Sequence, residues 1–350
     1  MRLFVSEFIC GGGWSRGERP ASLVREGAAM LRALLSDLLR IPSLQVVTTW
    51  DRRLRATLDV ASEALEVIPV HGPDEEREIF FRRCREMDGV YVIAPELDDE
   101  LSRRVSVAFR SAKERSAAEP QTTLRICNGS VEAIDLCGDK WAMYEHFMRV
   151  GIPTIPTARV GDESISLSWP RVLKLRMGAG SQAMQRVGSP SEWDAAISHY
   201  DARTRCTEAI AQPLLSGRSL SVGAIIDRAG TVHVLPVADQ FIDSERGFAY
   251  LGGRIPSTVE TGSFDVLIRK TLATIPGLYG YVGVDMLIPE SSPQTPLIVE
   301  INPRLTTSYV GYQKLCQDNL VALWIGQEAL PQTLSWRPGY VEFNSAGEFQ

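Results

Sequence analysis

Paired cysteines, clustered histidines and long apolar runs are all missing from this sequence, and each absence removes a class of function. The six cysteines (Cys10, Cys84, Cys127, Cys137, Cys206 and Cys316) are scattered without CxxC spacing. A zinc site or a disulfide framework is therefore not expected, and free thiols in a reducing cytoplasm are. The four histidines (His71, His146, His199 and His233) form no cluster and have no evident serine or cysteine partner, which argues against a nucleophile–base pair. No apolar run is long enough to span a membrane. Neither the GxxxxGK loop of the Walker A type nor the GxGxxG dinucleotide fingerprint occurs. An excess of basic charge is missing too: 37 Lys and Arg against 43 Asp and Glu give a formal charge of −6, which speaks against general nucleic-acid binding. The opening MRLFVSEFICGGGW carries one basic residue and a glutamate within its apolar run. It reads as a buried first strand rather than a signal peptide.

What is present is a globular composition, 44% hydrophobic and 23% charged over 350 residues, enough for two or three sub-domains. Residues 3–10 predict a strand that runs into Gly11, Gly12 and Gly13. A helix over 21–39 follows, with apolar positions at Leu23, Ala28, Leu31, Leu34, Leu35 and Leu38. Such a glycine turn lets backbone amides approach a ligand at the carboxyl edge of a parallel sheet. Strands at 45–49, 65–70 and 89–93, with a helix at 73–87, imply an α/β domain with a mostly parallel sheet that ends near residue 115. Ala94-Pro95-Glu96 lies at the same sheet edge. Glu7 and Glu96 are each either a contact for a substrate amine or only a strand-end acid. Residues 113–123, charged and containing proline, read as a linker.

After a short strand at 124–128, Asp139 is a good N-cap for a helix over 140–150, which Gly151 and Pro153 stop. Lys140 in the first turn works against the helix dipole. A bound phosphate would favour it there, and a solvated surface lysine also satisfies the pattern. Residues 170–175 (PRVLKL) form a strand with Lys174 inside an apolar run, and a lysine so placed needs an anionic partner. The loop RMGAGSQ (176–182) offers small residues whose N–H groups could lie over a polyphosphate. A helix at 191–200 precedes strands at 209–215, 219–226 and 232–238, with a break at Ser216-Gly217-Arg218. The connection 239–253, with Phe241, Phe248 and Tyr250, reads as a substrate-facing loop. A helix at 264–275, a closing helix at 315–330 and a terminal strand at 340–343 complete the chain.

Residues 281–312 concentrate the chemistry. Two β-rich runs, 282–288 and 296–302, flank a Pro- and Ser-rich connection and predict an antiparallel hairpin. Asp285 lies in the first run, and Glu300 and Asn302 close the second. Alternation puts Glu300 and Asn302 on one face, with Val299 and Ile301 on the other. Oxygen ligands converging in this way suit Mg²⁺, and Arg304 could hold a phosphate or carboxylate in its planar fork. An ordinary edge hairpin with its polar residues in water shows the same pattern.

Five segments in one order decide between these readings: GDKWAMYEHFMRVGIPT (138–154), PRVLKLRMGAGS (170–181), IAQPLLSGRSLSVGAI (210–225), GYVGVDMLI (280–288) and VEINPR (299–304). Together they resemble the ATP-grasp superfamily across roughly residues 124–312, and the amino-terminal part resembles the domain that precedes it there. The resemblance implies an α/β chain with an ATP-grasp fold, two α+β lobes gripping ATP, behind a pre-ATP-grasp domain with a mostly parallel sheet. The expected divisions are 1–115, 116–210 and 211–350. The resemblance further implies that Lys140 and Lys174 contact the ATP phosphates beneath a loop containing Gly178, Gly180 and Ser181. Gln212, Pro213, Leu214 and Leu215 would receive adenine at a hinge. Asp285, Glu300 and Asn302 would hold one or two Mg²⁺, or Mn²⁺, and Arg304 would bind the transferring phosphate or an acyl phosphate. Ser219 stands where the family often has a ribose-binding acid, and Gly283 stands where D-alanine ligases carry an arginine.

Within the superfamily, VSEFICGGG (5–13), VIAPELD (92–98), FAYLGGRIP (248–256) and EINPRLTTSY (300–309) are similar to the tyramine–glutamate ligases of methanofuran biosynthesis and their bacterial relatives. Some of those accompany one-carbon metabolism with tetrahydromethanopterin-type cofactors. The implied activity is an ADP-forming carboxylate–amine ligase in the cytoplasm, acting on a small carboxylate and an amine, with no nucleic-acid or membrane partner and a homodimer as the default assembly. Thr306 to Tyr309 would face the acceptor, and loops 176–182 and 239–253 would be lids. A catalytically reduced ATP-binding module, or a kinase-like or carboxylating enzyme on the same fold, are the alternatives.

Overall fold

A computed structural model describes the chain except residues 56, 120, 163–165, 179–182, 205–208, 245, 260, 261, 263 and 326–332, together with the side chains of 201–204. The first sheet is fully parallel, in the order β3-β2-β1-β4-β5, from β1 (Arg2–Glu7), β2 (Gln45–Asp51), β3 (Leu65–Val70), β4 (Gly89–Ile93) and β5 (Arg125–Ile126). Period-two alternation assigns its faces. Leu3 and Val5 join the core formed with α1 (Ala21–Leu38), whereas Phe4 joins the one formed with α2 (Pro73–Glu86) and α3 (Glu100–Ala118). The charged stretch expected as a linker from 113 is helical to Ala118, because Ser111 and the apolar row before it remain buried. β5 carries the sheet past the expected boundary at 115.

A buried ion pair clasps the two helices on that face. Arg104, from α3, donates to both oxygens of Glu76, from α2, at 2.7 Å each, and to Glu100 at 2.7 Å, while its guanidinium lies 4.8 Å from the Phe8 ring centroid and 4.9 Å from that of Phe80. Removing one partner of such a pair leaves an uncompensated buried charge. Glu76→Ala is expected to lower the unfolding free energy by about 3 kcal/mol, read as a lower urea midpoint at unchanged slope. Glu76→Ala with a wild-type midpoint would show that Glu100 suffices.

The glycine turn after β1 serves packing. Gly11 and Gly13 donate their amides to Glu7 O at 2.9 Å and Phe8 O at 3.0 Å. A Cβ on Gly11 would lie 2.2 Å from Glu7 O, and Gly12 has φ +106° against Val70. Those amides are therefore spent within the turn rather than offered to a ligand.

α4 (Val131–Gly138) and α5 (Lys140–Val150) lead into a four-stranded antiparallel sheet, in the order β6-β9-β7-β8, of β6 (Ala158–Arg159), β7 (Arg171–Leu175), β8 (Gln185–Val187) and β9 (Ala209–Pro213), backed by α6 (Trp193–Thr204). β9 runs past the expected division at 210, and residues 214–216 link it to the next sheet. That sheet is antiparallel, in the order β15-β14-β10-β12-β13-β16 with β11 beside β10. Its strands are β10 (Gly217–Ile226), β11 (Val232–Val234), β12 (Ala238–Asp243), β13 (Ala249–Ile255), β14 (Gly280–Pro289), β15 (Leu297–Asn302) and β16 (Val341–Asn344), accompanied by α7 (Phe264–Ala273).

Parity divides this larger sheet. Leu220, Val222 and Ala224 on β10, with Val282, Val284 and Met286 on β14, pack against α4, α5 and α7. Ser219, Ser221 and Asp285 take the opposite face, toward a cavity. The closing helix expected at 315–330 is instead α8 (Tyr309–Leu315) and α9 (Leu320–Trp324), and its predicted end lies outside the described residues. Both helices pack on α1: Tyr309 donates to Asp37 Oδ2 at 2.5 Å, and Asn319 donates to Asp37 O at 2.8 Å. Among the described residues no helix is long and apolar enough to cross a membrane, and the five described cysteines are buried free thiols.

Candidate functional site

One cavity of about 660 Å³ lies between the small sheet, the large sheet and the edge of the amino-terminal domain. The predicted positions Lys140, Lys174, Gly178, Gln212 to Leu215, Ser219, Asp285, Glu300, Asn302 and Arg304 all border it. Gly180 and Ser181 lie outside the described residues.

The basic wall is built by α5 and β7. Asp139 caps α5, accepting from Trp141 N at 3.0 Å and Ala142 N at 3.1 Å, and it also takes the fork of Arg176 at 2.8 and 2.6 Å. Lys140 N donates to Arg176 O at 3.1 Å. This clasp fixes the start of α5 against the end of β7 and aims the Lys140 ammonium at Gly178 O, 2.5 Å away, and at Glu300, 3.5 Å away. Lys174 reaches the same space from β7. Burial, with Lys140 adding to it, pushes its ammonium down to about 8 against the pull of Glu300 and Asp285.

The acidic wall is the β14–β15 hairpin, whose register sets Asp285 opposite Glu300 and Gly283 opposite Asn302. A bulge at Asp285/Met286 shifts the alternation, so Ile298 and Ile301 enter the core while Val299 borders the cavity, contrary to the expected pairing of Val299 with Ile301. Asp285 accepts from Gln240 Nε2 at 2.8 Å and Asn302 Nδ2 at 2.9 Å. Burial raises its carboxyl to about 7, and the neighbouring Glu300 adds to the rise. Glu300 is held below its usual range because Lys140 and Lys174 outweigh its burial. Two touching carboxylates whose charges burial and mutual repulsion oppose fit a divalent cation bound through hard oxygens. Among the described residues no third His, Cys, Asp or Glu completes a metal cluster. A Mg²⁺ ion would therefore rest on Asp285 and Glu300, with Asn302 and substrate phosphates around them.

Arg304 borders the cavity with its fork already turned to Glu96, Nε to Oε1 at 3.0 Å and Nη2 to Oε2 at 2.9 Å, and with Nη1 on Leu305 O. Of the run after it, Thr306, Thr307 and Ser308 line the cavity, but Tyr309 does not. Its ring is buried and its hydroxyl engages Asp37. At the hinge, Leu214 N donates to Pro170 O at 2.8 Å, and Gln212 Nε2 donates to Thr157 at 2.9 Å, leaving Gln212 Oε1 buried and unpaired among the described residues. Ser221 and Glu26 also face the cavity without a sequence-based expectation, and Gln240 does so from within the stretch 239–253 expected to face the substrate, although that stretch is largely β12 and β13 rather than a loop. Glu26 carries a legible signal in retrospect, since it stands three residues after Leu23 and four before Met30 on the inward stripe of α1.

A small antiparallel lobe and a larger one closing on a cavity that is basic on one side and acidic on the other define a two-lobed gripping fold behind a parallel-sheet domain. Residues 137–308 match the family model described as ATP-grasp domain, and residues 44–115 match that of the pre ATP-grasp 3 domain. The chain belongs to the ATP-grasp superfamily. Among curated proteins it is similar to the tyramine–L-glutamate ligase of Methanocaldococcus fervens, 37% identical over 100 residues, which is 29% of this chain and 32% of that protein. The match thus spans about a third of that relative. Among solved structures, an Archaeoglobus fulgidus protein assigned to the ATP-grasp superfamily aligns with TM-score 0.68 at 20% identity, covering 98% of this chain and 92% of that one. The biotin carboxylase domain of Hydrogenobacter thermophilus 2-oxoglutarate carboxylase aligns with TM-score 0.72 at 14% identity, covering 97% and 73%.

Proposed function

We propose that the protein is an ATP-dependent carboxylate–amine ligase. The observation that carries this reading is the facing of Lys140 and Lys174 against Asp285 and Glu300 across one cavity. A polyphosphate needs cations along its oxygens, and its divalent counter-ion needs carboxylates. In this reading the lysines bind and orient the phosphates, and bound Mg²⁺ supplies charge neutralisation at them. The substrate carboxylate oxygen takes the γ-phosphoryl group and ADP leaves. The amine nitrogen, deprotonated to its free base, then bonds to the acyl carbon, inorganic phosphate departs with the C–O electron pair, and the proton lost from nitrogen passes to the phosphate or to solvent. No protein nucleophile is needed, and positioning with electrostatics carries the rate. The reaction requires shielding from water, which would hydrolyse the acyl phosphate.

For the substrates, the Methanocaldococcus relative supports L-glutamate as the acid and tyramine as the amine. The test is ADP release with ATP, Mg²⁺, L-glutamate and hydroxylamine, a small nucleophile that traps acyl phosphates as hydroxamates, which are read as their coloured ferric complexes. Hydroxamate formed only when acid and ATP are both present is the expected result; ATP binding without acid-dependent ADP release would instead identify a catalytically reduced module. A second reading, a carboxylating enzyme, is kept because the Hydrogenobacter domain of the same fold was solved with MgADP and bicarbonate. Bicarbonate-dependent ADP release with a carboxylated product, and no hydroxamate, would select it.

A further inference from the structure

One wall of the cavity comes from the amino-terminal domain, and it is chemically unlike the rest. Helix α1 turns Leu23, Glu26, Gly27 and Met30 to the space, with Ile9 and Glu7 behind them from the end of β1. The positions i, i+3, i+4 and i+7 make one helical stripe, which here is apolar except for a single carboxylate. Among the described residues Glu26 makes no hydrogen bond or ion pair. The cation that acts on it most strongly is Arg304, and that fork is already closed on Glu96. Arg25, on its own helix, is exposed.

Glu7 brings a second carboxylate to the same wall. Its oxygens accept from Ile9 N at 3.2 Å and Cys10 N at 2.5 Å. It fits against α1 only because residue 27 is glycine, since a Cβ there would stand 2.7 Å from Glu7 Oε1. Burial raises both carboxyls to about 7, so each ionises only in part at neutral pH by itself, and a bound cation would favour the charged form. From the facing lobe Tyr250 borders the space, with Glu26 among the charges that act on its hydroxyl. An apolar recess with one unpartnered carboxyl matches a cation on an apolar stem, which would supply the missing counter-charge.

We propose that Glu26, supported by Glu7, binds the ammonium group of the amine substrate, and that Leu23, Met30 and Tyr250 hold that substrate's apolar or aromatic body. The site is thus selective for a primary amine over a neutral molecule of the same shape. This rests on the ligase reading, and its test is separable from it because it needs no turnover. The probes are tyramine and its alcohol analogue tyrosol, titrated calorimetrically into the full chain as wild type, Glu26→Gln and Glu26→Asp.

Wild type is expected to prefer tyramine by about tenfold, the worth of one charge-assisted hydrogen bond. Glu26→Gln should reduce the preference to within about twofold without changing the tyrosol affinity, and Glu26→Asp, which keeps the charge, should retain most of it. Equal affinities in the wild type, or a preference that survives in Glu26→Gln, would overturn the assignment. Loss of the hydroxamate signal in wild type would sink the ligase reading while leaving this binding result to be read by itself.

Discussion

Glu300→Gln is expected to stop acid-dependent ADP release, a fall of at least about a thousandfold, while far-UV circular dichroism stays unchanged. Glu300 is the anion toward which both lysines are drawn, with Lys140 at 3.5 Å, and it forms half of the carboxylate pair that fits a divalent ion. Glutamine keeps the shape of the side chain and removes its charge. The hairpin should survive the change, because its packing comes from Ile298 and Ile301 on the other side of the strand. Wild-type turnover in this variant would remove the carboxylate pair from the mechanism, and with it the ligase reading in the form given above.

Lys174→Met should separate function from stability in the opposite sense. Activity is expected to fall by about a hundredfold to a thousandfold, and the ligand-free protein should become more stable at pH 7 by about 1–3 kcal/mol. Burial pushes the Lys174 ammonium down to about 8 in the folded chain, against 10.5 for a freely solvated lysine. Below pH 8 it is charged in both folded and unfolded states, so the native state bears the whole cost of burying the charge. Between pH 8 and 10.5 the native state sheds the proton first, and that cost fades as pH rises. Methionine fills similar space without a charge, so its advantage should shrink along the same interval. Thermal melts at pH 7 and pH 10 check both parts. A variant less stable than wild type at pH 7 would mean that the attraction of Glu300 for Lys174 exceeds the cost of burial.

Much of the candidate site was legible because its residues break a local rule. Lys174 interrupts an apolar strand, Lys140 sits at the wrong end of a helix dipole, and Glu300 and Asn302 share a strand face by simple alternation. Each anomaly is local, so sequence spacing reports it. The pairing of Arg304 with Glu96 joins positions 208 residues apart, and no local pattern foretells which of two partners an arginine will take. The bulge opposite Glu300 adds a register shift that leaves no mark in the sequence, which is why Val299 faces the cavity. The three glycines after β1 were ambiguous for another reason. A close backbone approach to a ligand and a close approach to the chain itself select the same residue, and only the neighbours Glu7 O and Val70 show that the second applies. Glu26 is hard to single out in the sequence, because a helix with a sound apolar stripe tolerates one acid at its margin, and only the cavity shows that this acid faces inward.

The hydrogen bond from Tyr309 to Asp37 spans 272 residues of chain. Leu31, Leu34 and Leu38 of α1 share one core with Tyr309, Val310 and Trp324 near the other end. During synthesis, then, α1 emerges long before its packing partners. The amino-terminal sheet can pair its parallel strands early, but one of its two faces stays uncovered until α8 and α9 leave the ribosome. Contacts of such long range are slow to form and leave apolar surface exposed meanwhile. Ribosome-bound chains that end before residue 309 should therefore be cleaved readily within α1, and chains carried on a carboxyl-terminal linker long enough to bring residue 325 out of the exit tunnel should resist.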